Sequence, residues 1–371
     1  MGYTLPLLLA ATLALASNAP AVATSRLVAF QSRVWRVGQG GQIEPFPYVF
    51  PSSYDSNILG STLPTPSPDG QWIAFGRFDA DYDIHLLNVK SGQEYRISHF
   101  GQRPKRGYTY VDALIAAWSP DSRHLLFVVA PGETTSEEGE LAIPKAPYGF
   151  YVYSLTTQTT QRVSLPKGFQ VNAWLPGGRF LGVLPAQRAH EEDKLVILRP
   201  GRHQEVAIRT SVGFPSQARA TADGRWLVGV VSSKRRGTAE IIKINLATMS
   251  VRRLVSLRSF TGNEQPALSL DARSVAYKEQ IRMVKGIPQE RLFVNNRNLY
   301  SCPGPIDFQW IDDQRIAVEC QDQVSVLDTA RGQHAGGLAS RRALRHSGLF
   351  SDSRPERIAV ASPFLFHPHP I

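Results

Sequence analysis

Few stretches of this 371-residue chain bring reactive side chains close together. Asp79-Ala80-Asp81-Tyr82-Asp83 offers three alternating carboxylates, an arrangement that often holds hard cations such as calcium. An EF-hand loop beginning there would need Gly and Glu where this chain has Ile84 and Lys90. Acidic and small residues entering a strand are the better account, so no metal is expected. His367-Pro368-His369 could chelate but has no third ligand nearby. His190-Glu191-Glu192-Asp193 lacks a second histidine at helical spacing and reads as a solvated turn. His99, Arg103, Tyr108 and Tyr110 are residue types that could abstract or donate a proton on a sugar acid. Sequence alone does not make them converge, and they carry no assigned role.

Other chemistries lack their signatures. There is no Gly-x-Ser-x-Gly elbow, Walker loop or dinucleotide fingerprint, so neither an attached α/β-hydrolase domain nor a bound cofactor is expected. The basic clusters Lys234-Arg235-Arg236, Arg252-Arg253 and Arg341-Arg342 with Arg345 are scattered. They form no continuous groove with interleaved aromatics, which argues against nucleic acid. Cys302 and Cys320 are too few for a disulfide framework or a four-thiolate zinc site. Cys302 precedes the apolar segment around Phe308-Gln309-Trp310, and Cys320 ends the segment returning from Asp312-Asp313-Gln314. An antiparallel return would bring the two together as a disulfide; two separate buried thiols remain the alternative.

The elements that position these residues come from a repeat. A small polar turn is followed at once by an apolar strand in Pro66-Ser67-Pro68-Asp69-Gly70-Gln71-Trp72-Ile73-Ala74-Phe75 and in Trp118-Ser119-Pro120-Asp121 leading to Leu125-Leu126-Phe127. Weaker copies surround Gly177, Asp223, Asp271 and Asp313, with a degenerate seventh at Asp352. The steps between these turns are 52, 56, 46, 48, 42 and 39 residues, near the period of a four-stranded propeller blade. Pro fixes φ, Asp accepts local backbone hydrogen bonds and Gly tolerates positive φ, so each phrase can reverse a hairpin. A second strand pair follows each turn, as in Ile84 to Asn88 with Tyr95-Arg96-Ile97. The sequence therefore predicts an all-β propeller of four-stranded blades, seven in number, with six as the alternative. Strand-like Leu27-Val28-Ala29-Phe30 and Val34-Trp35-Arg36-Val37 lie before the first turn, and the last copy has chain for only two strands. The N- and C-terminal strands are thus expected to share one blade and close the ring, removing a free edge. Glu133, Glu137, Glu138 and Glu140 lie in a long insertion, Pro131 to Tyr148, between the second and third strands of one blade. Such insertions often carry binding function.

Leu5 to Ala16 is apolar, Pro20 ends it, and Ala21-Val22-Ala23 supplies small residues for cleavage. Residues 1–23 read as a signal peptide and 24–371 as a single propeller domain. No apolar run of about 18 residues follows, so no integral membrane span is expected. The phrase Ser67-Pro68-Asp69-Gly70 with Ile73-Ala74-Phe75, then Asp83-Ile84-His85-Leu86-Leu87-Asn88 and Arg96-Ile97-Ser98, resembles the repeat of TolB-type, WD40-like β-propellers of bacterial envelopes. The resemblance implies that fold and a periplasmic or secreted setting. The expected function is non-catalytic binding of a protein or anionic glycan of the envelope, through one face and the central channel, by a monomer. The alternative is a propeller-type enzyme such as a polysaccharide lyase. The net charge of +10 suits an anionic partner without selecting one.

Overall fold

The computed structural model describes residues 25–30, 33–50, 63–77, 83–100, 111–131, 148–166, 168–186, 194–208, 216–221, 223–232, 238–257, 265–321, 323–334 and 339–340. Regular structure among them is entirely β-strand, in seven antiparallel sheets arranged as the blades of a propeller. Blade 2 shows the pattern, running outward from the axis as Thr65–Pro66, Trp72–Arg77, Asp83–Asn88 and Glu94–Arg96. The innermost strands of blades 3 to 7 are Val111–Trp118, Gln170–Leu175, Ser216–Ala220, Ala267–Leu268 and Ile306–Trp310.

Middle strands are buried on both faces, so they read as continuous apolar runs such as Ile73-Ala74-Phe75 and Leu125-Leu126-Phe127. The core consists of the seams between blades. Ile84 and Leu86 of blade 2 meet Ile115, Leu125 and Phe127 of blade 3, and Leu181 and Ile197 of blade 4 meet Leu227 and Ile242 of blade 5. Each fully buried side chain of this size contributes about 2–3 kcal/mol through apolar area alone.

Blade 1 shows three strands among the described residues: Arg26–Phe30, Arg33–Val37 and Ile43–Pro45. Arg315 of blade 7 donates to the carbonyl oxygens of Gly38 and Gln39, which places the Gly38–Gln42 turn on the same rim as the Asp-containing turns. The three strands therefore correspond to the second, third and fourth of the other blades. The ring closes where Val28, Trp35 and Val37 of blade 1 pack on Ala317, Val324 and Val326 of blade 7. The degenerate copy around Asp352 lies outside the described residues.

Candidate functional site

The turn from first to second strand is built alike in four blades. Ser67, Ser119, Thr221 and Ser269 each donate a hydroxyl to the Asp two residues on, at 2.6 to 2.7 Å. Each Asp accepts the backbone N–H two residues beyond itself, and each hydroxyl accepts the N–H five residues on, at the entry to the second strand. The Ser/Thr-x-Asp pattern thus satisfies two backbone donors of each reversal and needs neither Pro nor Gly to do so. Hydrogen bonding from Ser119 and Ser269 holds the Asp121 and Asp271 carboxyls below the usual carboxylate range. The turns also touch one another: Asp69 N–H donates to Ser122 Oγ, and Asp271 N–H to Asp313 Oδ1. These contacts tie this rim, the Asp-turn rim, into a belt.

Polar residues of the inner strands face the axis. Asn172 of blade 4 donates to the Ala218 carbonyl of blade 5, and Gln309 of blade 7 accepts from Ala29 N–H of blade 1. Arg219, on the innermost strand of blade 5, is exposed, while the surrounding protein strips part of the water from its guanidinium. That desolvation pushes its pKa down, and the Asp307 carboxylate from blade 7 partly restores it. The axis therefore presents a cation partly balanced by an acid.

A cavity of about 480 Å³ opens on the Asp-turn rim between blades 5 and 6. Leu254, Val255, Leu268 and Val275 form its apolar wall, with Trp226 alongside, and Lys243, Arg252 and Arg273 bring positive charge against the carboxylate of Asp271. Lys243 Nζ lies 3.9 Å from the centre of the Trp226 ring and donates to the Ala272 carbonyl, so it spans the seam. Burial and the neighbouring Arg252 push its pKa down, while Asp271 and Asp223 oppose them.

Two local changes leave this space. Trp118 and Trp310 end the inner strands of blades 3 and 7 and donate their indole N–H to Thr65 and Ala267 carbonyls of the preceding blade, at 2.9 and 3.1 Å. Blade 6 has Leu268 in that place. Its third and fourth strands are joined by Asn295 and Asn296, both at positive φ, a two-residue hairpin turn. The longer turns of blades 3 and 5 instead lay Leu155, or Leu246 and Met249, over their seams. Both signals stand in the sequence, but they acquire meaning only once the blades are aligned strand by strand.

The residues singled out by sequence have different fates. Asp83, completely buried, accepts hydrogen bonds from Arg96, Ser98 and the Phe100 N–H, a structural knot rather than a cation ligand. Asp79 and Asp81 lie outside the described residues, as do Arg103, Tyr108, Tyr110, the His190 turn, His367 and His369. His99 is exposed just after the outer strand of blade 2. Arg252 belongs to the cavity, whereas Arg253 pairs with Glu240 at 2.8 Å. Cys302 ends the outer strand of blade 6, Cys320 ends the second strand of blade 7, and the two are joined as a disulfide with Cα atoms 6.0 Å apart. A cluster the sequence reading missed is Glu94, which takes Tyr48 at 2.5 Å, His85 at 2.7 Å and Arg77 at 3.1 Å near the seam of blades 1 and 2. Burial raises its pKa, but those three partners outweigh it and hold the carboxyl below its ordinary value.

The architecture is that of a seven-bladed β-propeller. No sequence family and no curated protein matches the chain. Among solved structures it is similar to an oligogalacturonate lyase from Vibrio parahaemolyticus, at 11% identity over 80% of this chain and 83% of that one, TM-score 0.52. A prolyl endopeptidase structure gives 13% identity over 85% of this chain and 49% of that one, TM-score 0.51. TolB from Acinetobacter baumannii gives 16% identity over 73% of this chain and 60% of that one, TM-score 0.47. The chain thus spans less than two thirds of the TolB and endopeptidase chains. At such identities the likeness is one of fold.

Proposed function

We propose that the mature chain is a periplasmic or secreted, non-catalytic propeller that binds a protein or anionic glycan over its Asp-turn rim and the mouth of its channel. The cavity between blades 5 and 6 carries this reading. It joins an apolar wall and an indole to three cationic side chains, the combination that seats a carboxylate-bearing ligand with an apolar face. Arg219 at the axis extends the same preference for anions. Titration calorimetry of the purified chain with a uronate oligosaccharide and with an acidic peptide tests it. Binding of either, weakened at least tenfold in R252A/R273A and without product, supports the reading. Release of unsaturated uronate overturns it in favour of a propeller-type lyase; the Vibrio structure is named as an oligogalacturonate lyase.

Export belongs to the same proposal. Removal of residues 1–23 would deliver the chain as a monomer to an oxidising compartment, where the bond between Cys302 and Cys320 persists. N-terminal sequencing of exported protein should start at Thr24, and thiol titration should find no free sulfhydryl.

A further inference from the structure

The second and third strands of blade 6 are the longest pair in the described part of the molecule. Val275–Val284 and Ile287–Val294 extend as a ribbon to a Lys285-Gly286 turn on the rim opposite the cavity. Every residue from Ile281 to Ile287 is exposed, including Ile281 at 46%, Met283 at 55%, Val284 at 37% and Ile287 at 49%. These are half of the eight large apolar side chains exposed among the described residues, gathered on one turn. Scattered singly such residues need no explanation, but a cluster at a projecting tip marks a contact surface.

Register decides what kind of contact. Directly paired residues share a face, so Val284 and Ile287 lie on one side of the ribbon and Met283 with Pro288 on the other. A groove on a protein would cover one face and leave the other wet. A lipid interface takes both. Charge points the same way: Arg282 and Lys285 flank the tip, and no carboxylate occurs from Gln280 to Gln289. Arg282 Nε is held by Gln289 Oε1 at 2.7 Å, which fixes the guanidinium beside the apolar tip. Pro288 in one strand and the register break between Gln280 and Arg282 in the other blunt the ribbon as a template for further strands.

We propose that this hairpin is a membrane-docking tip that inserts Ile281, Met283, Val284 and Ile287 among the headgroups of an anionic bilayer, with Arg282 and Lys285 on lipid phosphates. The proposed contact is confined to the headgroup region reached by the tip. It would turn the Asp-turn rim, with its cavity and channel mouth, away from the bilayer and toward a partner.

Co-sedimentation with vesicles of phosphatidylglycerol and phosphatidylcholine, against phosphatidylcholine alone, tests the proposal. Binding should require the anionic lipid and fall with added salt. Removing both cations in R282Q/K285Q should weaken it about thirtyfold, from about 1 kcal/mol for each charge. M283S/I287S should weaken it at least tenfold. Unchanged thermal melting would show that both variants are folded, since the tip lies beyond the packed seams. Absence of sedimentation, or equal sedimentation of all variants, overturns the proposal. So does a concentration-dependent dimer abolished by M283S/I287S, which would make the tip an interface between copies. Ligand titration at the cavity is read separately, so failure of either proposal leaves the other standing.

Discussion

Blade 6 meets its two neighbours in opposite ways. Toward blade 7 the seam is sealed: Trp310 donates to Ala267, Lys278 Nζ donates to the Ile306 carbonyl at 2.9 Å, and Glu290 accepts the Ile306 N–H at 2.7 Å. Lys278 and Glu290 are themselves 3.4 Å apart and almost wholly buried, and the Cys302–Cys320 bond lies at the same end of the seam. Toward blade 5 the indole is a leucine, the outer turn is shortened, and Lys243 reaches across to the Ala272 carbonyl beside the cavity. One blade thus has a polar clasp on one flank and a ligand-sized gap on the other. Val230 and Ile241 still pack on Val275 and Tyr277 in the middle of the blade 5 seam, so only its rim end is left open, at modest cost in a ring whose adjacent seam is fastened more firmly.

Breaking the fastened side should give the largest effect. Glu290→Gln leaves the Lys278 ammonium buried without its counter-charge and should destabilise the chain by about 4 kcal/mol in urea unfolding. The double change Lys278→Met with Glu290→Leu should recover most of that loss, because no unpaired charge then remains. A double variant as unstable as the single one would show that the hydrogen bonds to Ile306, rather than the charge pair, hold the seam.

The disulfide comes next. Its 18-residue separation implies that Cys302→Ala with Cys320→Ala costs about 3 kcal/mol, through the restored freedom of the unfolded chain. Reductant should lower the urea midpoint of the parent chain equally and leave the variant unmoved. If reductant has no effect on the parent, the clasp is carried by the ion pair alone.

The open side is sharpened by closing it. Leu268→Trp restores the residue found at the sealed seams, and by the same register its N–H should meet the Arg219 carbonyl. Filling the cavity should abolish uronate or acidic-peptide binding while raising stability by about 1 kcal/mol. Retained affinity would place the ligand in the channel instead, where Arg219→Ala becomes the informative change.

What the sequence made legible follows the same division. Ser67-x-Asp69 and its copies are local: one hydroxyl, one carboxylate and three N–H groups within eight residues form the turn, so their spacing announced the blades. Cys302 and Cys320 could be paired on paper for the same reason, since one hairpin return relates them. The cavity was harder to foresee, because Leu268 is unremarkable until compared with Trp118 and Trp310, and Asn295-Asn296 until compared with the longer turns. For Asp83 the spacing favoured an ordinary strand entry over a cation site, but it did not identify the partners, Arg96 and Ser98, which arrive from the next strand and are set by register. The hairpin at Met283 carries no motif, and only the length of the strand pair shows that it overshoots the core.

The smallest effect expected is on acid stability, and it tests the belt of turns rather than either seam. The carboxyls of Asp121 and Asp271 are lowered by their Ser hydroxyls from an ordinary value of 3.8, and that of Glu94 from 4.5 by Tyr48, Arg77 and His85 against the opposing effect of burial. A carboxyl lowered in the folded chain binds its proton more readily when unfolded. Its contribution is therefore complete above the unfolded values and drains away as pH falls through the lowered ones. Urea midpoints should be flat above about pH 5 and decline below about pH 4.5. Because Asp121 and Asp271 are largely exposed, Ser119→Ala should flatten that decline only slightly. Glu94→Gln, which removes a half-buried hub with three partners, should flatten it more. Equal flattening by the two would mean that the rim turns, and not the clasp between blades 1 and 2, carry the acid sensitivity.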